Sequence, residues 1–171
     1  MANPITIIPA KVNHYNIIRQ IAHTTWPVTF GEILSPTQIG YMLDWMYSLP
    51  AITQQVNEKQ HVFLLATDGQ TYYGYASYEL NYQDSGKVKV HKIYILPEAQ
   101  GKGVGRLLMD AIAAVAKEHR FDHLVLNVNR SNKAIQFYKH YGFVITGEED
   151  IDIGNGFLME DYIMEKTLNN T

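Results

Sequence analysis

The sequence predicts a mixed α/β chain built around one central sheet. Three observations carry this. Apolar spacing is helical up to about residue 58 and turns extended from residue 61. Two tight turns, Asp68-Gly69 and Ser85-Gly86, join three consecutive extended runs. A strand ending near Ile95 then runs through a glycine-rich turn directly into a helix.

The elements follow in order. Ile5, Ile7 and Ile8 form a short strand ended by Pro9. Over 13–25 the residues Ile17, Ile18 and Ile21 fall at helical spacing. Trp26-Pro27 is expected to stop that helix, because the residue before a proline disfavours the helical region. Ser35-Pro36 places a capping side chain before a proline at the first helical position. The helix it opens carries Ile39, Met42, Leu43 and Met46 on one stripe and should end near Pro50, with a shorter helix over 52–58 after it. Strands are expected over 61–67, 72–82 and 87–96 as an antiparallel meander. The third strand breaks parity, since Val88 and Val90 point to one face while Ile93 and Ile95 lie on the opposite parity. One extra residue near His91 or Lys92, a β-bulge, reconciles the two pairs. Residues 103–119 read as helix, 123–128 as strand, and 132–141 as a helix closed by Gly142. Strands over 143–153 and 157–164 form a hairpin about Gly154-Asn155-Gly156. With the short 52–58 helix left out of the count, the order is β-α-α-β-β-β-α-β-α-β-β, without internal repeat or linker.

Length and composition set the outer limits. At 171 residues, with 46% hydrophobic and 18% charged, the chain is expected to form one domain over 1–171 with a substantial core. A net charge of −3 argues against nucleic acid as the main partner. The absence of cysteine excludes a disulfide framework, a cysteine-ligated zinc and a cysteine nucleophile. The opening residues lack the basic start and apolar stretch of a signal peptide, and the run from Ala111 to Ala116 is too short to cross a membrane. A cytoplasmic protein without a membrane partner is expected. The seven histidines are scattered along the chain, no His-Glu-x-x-His motif is present, and no metal is expected.

The informative segment is Gln100-Gly-Lys-Gly-Val-Gly105, preceded by the strand through Ile93, Tyr94 and Ile95. Glycines let backbone N–H groups approach a phosphate, and the helix N-terminus adds a favourable dipole. Lys102 and Arg106 supply positive charge at the same place. A P-loop requires Ser or Thr after Gly-Lys, where Gly103 stands, and the dinucleotide fingerprint requires glycine where Arg106 stands. An ordinary glycine-rich turn is the plain alternative.

The segment resembles the acetyl-CoA pyrophosphate loop of the GNAT superfamily of N-acetyltransferases. A second signature of that family follows at the expected distance in Asn132-Lys-Ala-Ile-Gln-Phe-Tyr-Lys-His-Tyr-Gly-Phe143. Thr25-Trp-Pro-Val-Thr-Phe30, Ser35-Pro36 and the ending Asp161-Tyr-Ile-Met-Glu-Lys-Thr-Leu168 are similar to the PaiA-like bacterial spermidine/spermine acetyltransferases. The resemblance implies a GNAT fold with a bulged strand ahead of the loop, splayed from the next strand where the cofactor enters. It implies acetyl-CoA as co-substrate, bound by the main chain of Ile93, Tyr94 and Ile95 and by Gln100, Gly101, Lys102, Gly103, Val104, Gly105 and Arg106. Asn132 lies one position later than the commonest CoA-contacting asparagine and can equally cap its helix.

Tyr138 matches the family tyrosine that gives a proton to the departing thiolate; a phenol of ordinary pKa near 10 is a proton donor at neutral pH. Many relatives place a glutamate two residues before the position of Ile93, where this chain has His91. His91 is the candidate base, Glu79 on the neighbouring strand its rival, and a water relay a third possibility. Without cysteine no acetyl-cysteine can form, so transfer is direct attack by an amine in a ternary complex. The expected acceptor is a small cationic amine. Glu148, Glu149, Asp150, Asp152, Glu160 and Asp161 crowd the terminal hairpin without an intervening Lys or Arg, which favours a polyamine. Lys87, Lys89, Lys92, Lys102 and Arg106 mark the expected CoA-phosphate end. Acetylation of a peptide or protein amino group, or a non-catalytic acyl-CoA-binding module, are the alternatives, and a homodimer is compatible with the family.

Overall fold

A computed structural model describes the protein over residues 3–168, so the expected domain limits of 1 and 171 lie outside the described residues. Seven strands form one sheet in the order β1-β2-β3-β4-β5-β7-β6. They are β1 (Thr6–Pro9), β2 (Val62–Thr67), β3 (Tyr72–Glu79), β4 (Val88–Ile95), β5 (His123–Asn129), β6 (Val144–Gly154) and β7 (Phe157–Thr167). Every neighbouring pair is antiparallel except β4 with β5. This is the mixed α/β architecture the sequence predicts.

Helices cover both faces. On one, α4 (Val104–Glu118) and α5 (Ala134–Tyr141) bury Leu108, Ile112 and Ile135 against Leu64, Ala76, Val88 and Leu124. On the other, α1 (Tyr15–Phe30), α2 (Pro36–Tyr47) and α3 (Leu49–Asn57) bury Ile18, Met42 and Ile52 against Phe63, Leu65 and Tyr75. Among the described residues no helix is long and apolar enough to cross a membrane.

Two expectations about helices need correction. Helix α1 does not stop at Trp26; it continues through Pro27 to Phe30. Proline inside a helix costs about 3 kcal/mol, because it lacks the N–H that would bond the carbonyl four residues back. Trp26 and Phe30 are both buried, and each contributes about 2–3 kcal/mol by leaving water, so packing offsets the lost bond. Helix α2 does end near the expected place, at Tyr47, but the next helix starts at Leu49 rather than at 52 and so takes in Pro50. That proline sits in the first turn of α3, where a missing N–H costs nothing, and Ser48 caps that helix by accepting from Ala51 N at 3.2 Å. The order therefore carries three helices before β2, not two.

The bulge inferred from parity is present. Ser77 pairs with Lys92 and the next residue, Tyr78, pairs with Val90, so His91 is the extra residue of β4. The parallel pairing of β4 with β5 runs only from Val88↔Leu124 to Val90↔Leu126. Beyond that point β4 continues beside β3 and β5 beside β7, and the two strands share no ladder.

Candidate active site

A cavity of about 1070 Å³ opens where β4 and β5 part. The glycine turn and the start of α4 form one end, and α5 brings Tyr138 to the wall. Residues from α1 and α2, including Trp26, Phe30 and Met46, line the other end with Met159 and Asp161 of β7. The cavity thus joins residues that are up to 136 positions apart in sequence, from Thr25 to Asp161.

The turn is shaped as an anion cradle. Gly101 and Gly103 have φ of 78° and 77°, a conformation that side chains rarely adopt, and Gly103 opens α4 directly. Nothing lies within 4 Å of where a Cβ would stand on either, so that side of the turn is open. Gln100 donates through Nε2 to the Ile95 carbonyl at 3.2 Å and ties the turn to the end of β4. Among the expected cofactor residues, Ile93, Tyr94, Ile95, Gln100, Gly101, Gly103, Val104, Gly105, Arg106 and Asn132 line the cavity, and Lys102 does not. Lys102 is exposed.

The basic cluster dissolves on inspection. Lys87 pairs with Glu165, Lys89 bonds Asn127, and Lys92 bonds Gln55 Oε1 at 2.8 Å. Only Lys102 and Arg106 of the five stand at the turn. Asn132 Oδ1 accepts from Ala134 N at 2.8 Å, so its side chain is engaged at the start of α5.

Tyr138 is buried at 7% exposure, its hydroxyl bonds no described residue, and burial raises its pKa above the ordinary phenol value. It is held as a neutral phenol at the cavity wall.

His91 and Glu79, weighed above as rivals, are partners. His91 Nε2 lies 2.9 Å from Glu79 Oε1, and His61 Nε2 lies 3.4 Å from the same oxygen. The two imidazoles stack with ring centres 3.9 Å apart. These histidines are therefore not scattered, and three groups of metal-ligand type meet here. Burial pushes His91 down to about 2 and His61 down to about 4, with the charges of Lys92 and Lys59 adding to both. It also raises the Glu79 carboxyl, against the pull of Lys89 and Lys59. The lysines around them oppose a divalent cation, and a hydrogen bond already joins His91 to Glu79.

The acidic hairpin is likewise not a free surface. Arg130, from the turn after β5, bonds Glu148 Oε2 at 3.3 Å and also Asp150. Asn127 Nδ2 donates to Glu149 at 3.0 Å and to Asp161 Oδ2 at 3.3 Å.

Sequence reasoning missed the far end of the cavity. The Tyr94 ring lies tilted against Trp26 and Phe30, with ring centres 5.6 and 6.4 Å away. Lys92 is buried beside the Tyr47 and Phe63 rings, and burial lowers it from 10.5 to about 7. The available signal was the bulge, because it turns His91 and Lys92 to one side of the sheet.

Known proteins share this fold. The family described as acetyltransferase (GNAT) domain matches residues 37–166. An uncharacterized N-acetyltransferase of Mycobacterium tuberculosis is 28% identical over 149 residues, covering 86% of this chain and 94% of that one. The peptidyl-lysine N-acetyltransferase YjaB of Escherichia coli is 39% identical over 61 residues, 35% of this chain and 38% of its own length. The PaiA N-acetyltransferase of Thermoplasma acidophilum, solved in complex with coenzyme A, has the same fold, with TM-score 0.81 at 24% identity over 96% of this chain and 99% of that one.

Proposed function

The chain belongs to the GNAT acetyltransferase family and is an acyltransferase, and from that premise we propose that it moves an acetyl group from acetyl-CoA to a primary amine by direct attack in a ternary complex. The observation that carries this is the single cavity joining the glycine turn, the parted edge of β4 and Tyr138. Backbone N–H groups of Gly101, Gly103 and Gly105 take the pyrophosphate, with Arg106 beside them. The β5-facing edge of β4 beyond Val90 has no strand to bond, so its main chain is available to the pantetheine arm and to the thioester carbonyl.

Two residues manage protons. An ionised Glu79 can only accept, so His91 presents Nε2–H to it and keeps a lone pair on Nδ1. His91 Nδ1 takes the proton from the attacking nitrogen as the N–C bond forms. Tyr138 gives its proton to the sulfur as the C–S bond breaks, so CoA leaves as the thiol. Burial keeps the imidazole neutral and the phenol protonated, the states from which each role starts, while it moves both groups away from the neutral range rather than toward it.

The acceptor is a cationic amine, in the first place a polyamine, supported by the excess of acid at the hairpin end and by the sequence likeness to PaiA-like enzymes. A peptide amino group is the second reading, favoured by the likeness to YjaB. Thiol release from acetyl-CoA with spermidine, spermine and N-terminal peptides tests both. Tyr138→Phe removes a hydroxyl that bonds nothing in the fold, so the variant should fold and lose about 100-fold in kcat. A loss below about threefold refutes the assignment of the acid. Amine-independent release at the uncatalysed rate, with no amine raising it, points instead to an acyl-CoA-binding module.

A further inference from the structure

Asp161 is the one acid of the hairpin that is both buried and placed in the cavity. It is 6% exposed, and its Oδ1 has no hydrogen-bond partner. Among the described residues its other oxygen accepts only from Asn127, at 3.3 Å. No lysine or arginine among the described residues forms an ion pair with this carboxylate. Lys89 reaches it only through Asn127, whose amide also serves Glu149, so one cation stands opposite two carboxylates. Arg130 donates to the Asp161 backbone carbonyl at 3.5 Å, but its charge is taken by Glu148 and Asp150. A buried carboxylate oxygen without a donor is unfavourable unless a ligand supplies one. The excess negative charge specifies a cationic donor.

We infer that Asp161 Oδ1 seats a second ammonium of the acceptor, distinct from the nitrogen that is acetylated, so that the chain takes diamines and polyamines in preference to monoamines. This rests on the N-acetyltransferase reading with a cationic acceptor given above and adds to it the residue that binds the second nitrogen. The separation follows from the sheet. Asp161 is on β7, His91 on β4, and β5 lies between them. Two strand spacings amount to ~10 Å, and the parting of β4 from β5 adds to that. One ammonium therefore cannot serve both places, and the acceptor must carry two nitrogens held apart by several methylenes. Met159 lines the same cavity and gives those methylenes an apolar path.

The test compares hexamethylenediamine with hexylamine, which differ only in the second nitrogen. In the wild type the diamine should be favoured in kcat/KM by about tenfold or more, the usual worth of a charge-assisted hydrogen bond. Asp161→Asn keeps the shape and the Asn127 contact but not the charge. It should bring the preference within about threefold by raising the diamine KM, with the hexylamine and acetyl-CoA KM values little changed. A wild type that treats the two amines alike overturns the inference whether or not the variant folds, and so does a variant that retains the preference. If the wild type acetylates neither amine, the small-amine acceptor of the reading above is what fails. Calorimetric titration of hexamethylenediamine into wild type and Asp161→Asn then still reads the site, with about tenfold weaker binding to the variant expected and equal binding refuting it.

Discussion

His61 should make the protein sensitive to mild acid in a way that one substitution can remove. Its side chain is 8% exposed, its Nδ1 is buried without a partner, and its pKa falls from 6.5 to about 4, chiefly by burial. In the unfolded chain the imidazole takes up a proton as the pH drops through 6.5, whereas in the native state it resists until about 4. Between those values the unfolded state binds more protons, so stability falls as the pH is lowered. The drop from 6.5 to about 4 corresponds to about 3 kcal/mol once complete, and about 2 kcal/mol of it is spent by pH 5. That is a large share of the roughly 5–15 kcal/mol a domain has. Glu79, raised by burial, acts in the opposite sense, and because it is present in both proteins their difference isolates His61. Urea unfolding at pH 7, 6 and 5 on wild type and His61→Gln reads the effect. Glutamine can still donate to Glu79 but does not titrate, so the variant should lose about 2 kcal/mol less than wild type over this range. Parallel loss in the two proteins refutes the argument, and His91 would then have to carry the acid response alone.

Two further outcomes follow from the same cavity. Lys92→Met should raise the melting temperature at pH 7: the fall from 10.5 to about 7 marks a burial cost of about 5 kcal/mol, larger than the roughly 1–3 kcal/mol lost by leaving the Gln55 oxygen unpaired, and the gain should shrink steadily as the pH rises from 7 and be nearly gone above 10.5. A lower melting temperature for that variant contradicts this ledger. Gly103→Ala should fold with a strain of about 1–2 kcal/mol, since φ is 77° and nothing stands within 4 Å of the new Cβ; calorimetry should show a drop of a few degrees, while the acetyl-CoA KM rises by about tenfold.

What could be read from the sequence divides by the range of the interactions. The helix starts at Ser35, the two-residue turn Asn155-Gly156 and the C-terminal Gly142 are local, and each stands where the residues indicated. The glycine turn and Tyr138 could be found because each is set within a short motif. Pro27 misled because a local rule yielded to the burial of Trp26 and Phe30 against Tyr94 and Tyr47. The pairing of Arg130 with Glu148 and Asp150 crosses from the turn after β5 to β6, and no spacing in the chain announces it. Asp161 could be counted among the acids, but its orphaned oxygen depends on where Asn127 and Lys89 point. Charge counts along a segment say little about charge in space.

The extra residue at His91 connects the two halves of the site. Upstream of it, Val88 and Val90 face the α4 side; downstream, Ile93 and Ile95 face that side too. An even alternation cannot do this, so the bulge preserves an unbroken apolar strip under α4. On the opposite face the same insertion puts two polar residues in succession. His91 stacks on His61, and Lys92 lies 5.5 Å from the Phe63 ring. Were the same sequence paired regularly, with no bulge, everything after Val90 would exchange faces: Tyr94 would leave Trp26, and Ile93 and Ile95 would turn away from α4. The parallel ladder to β5 also ends at Val90, the residue immediately before the bulge. One backbone irregularity thus opens the sheet and, in the same step, places an imidazole with its carboxylate partner beside the opening.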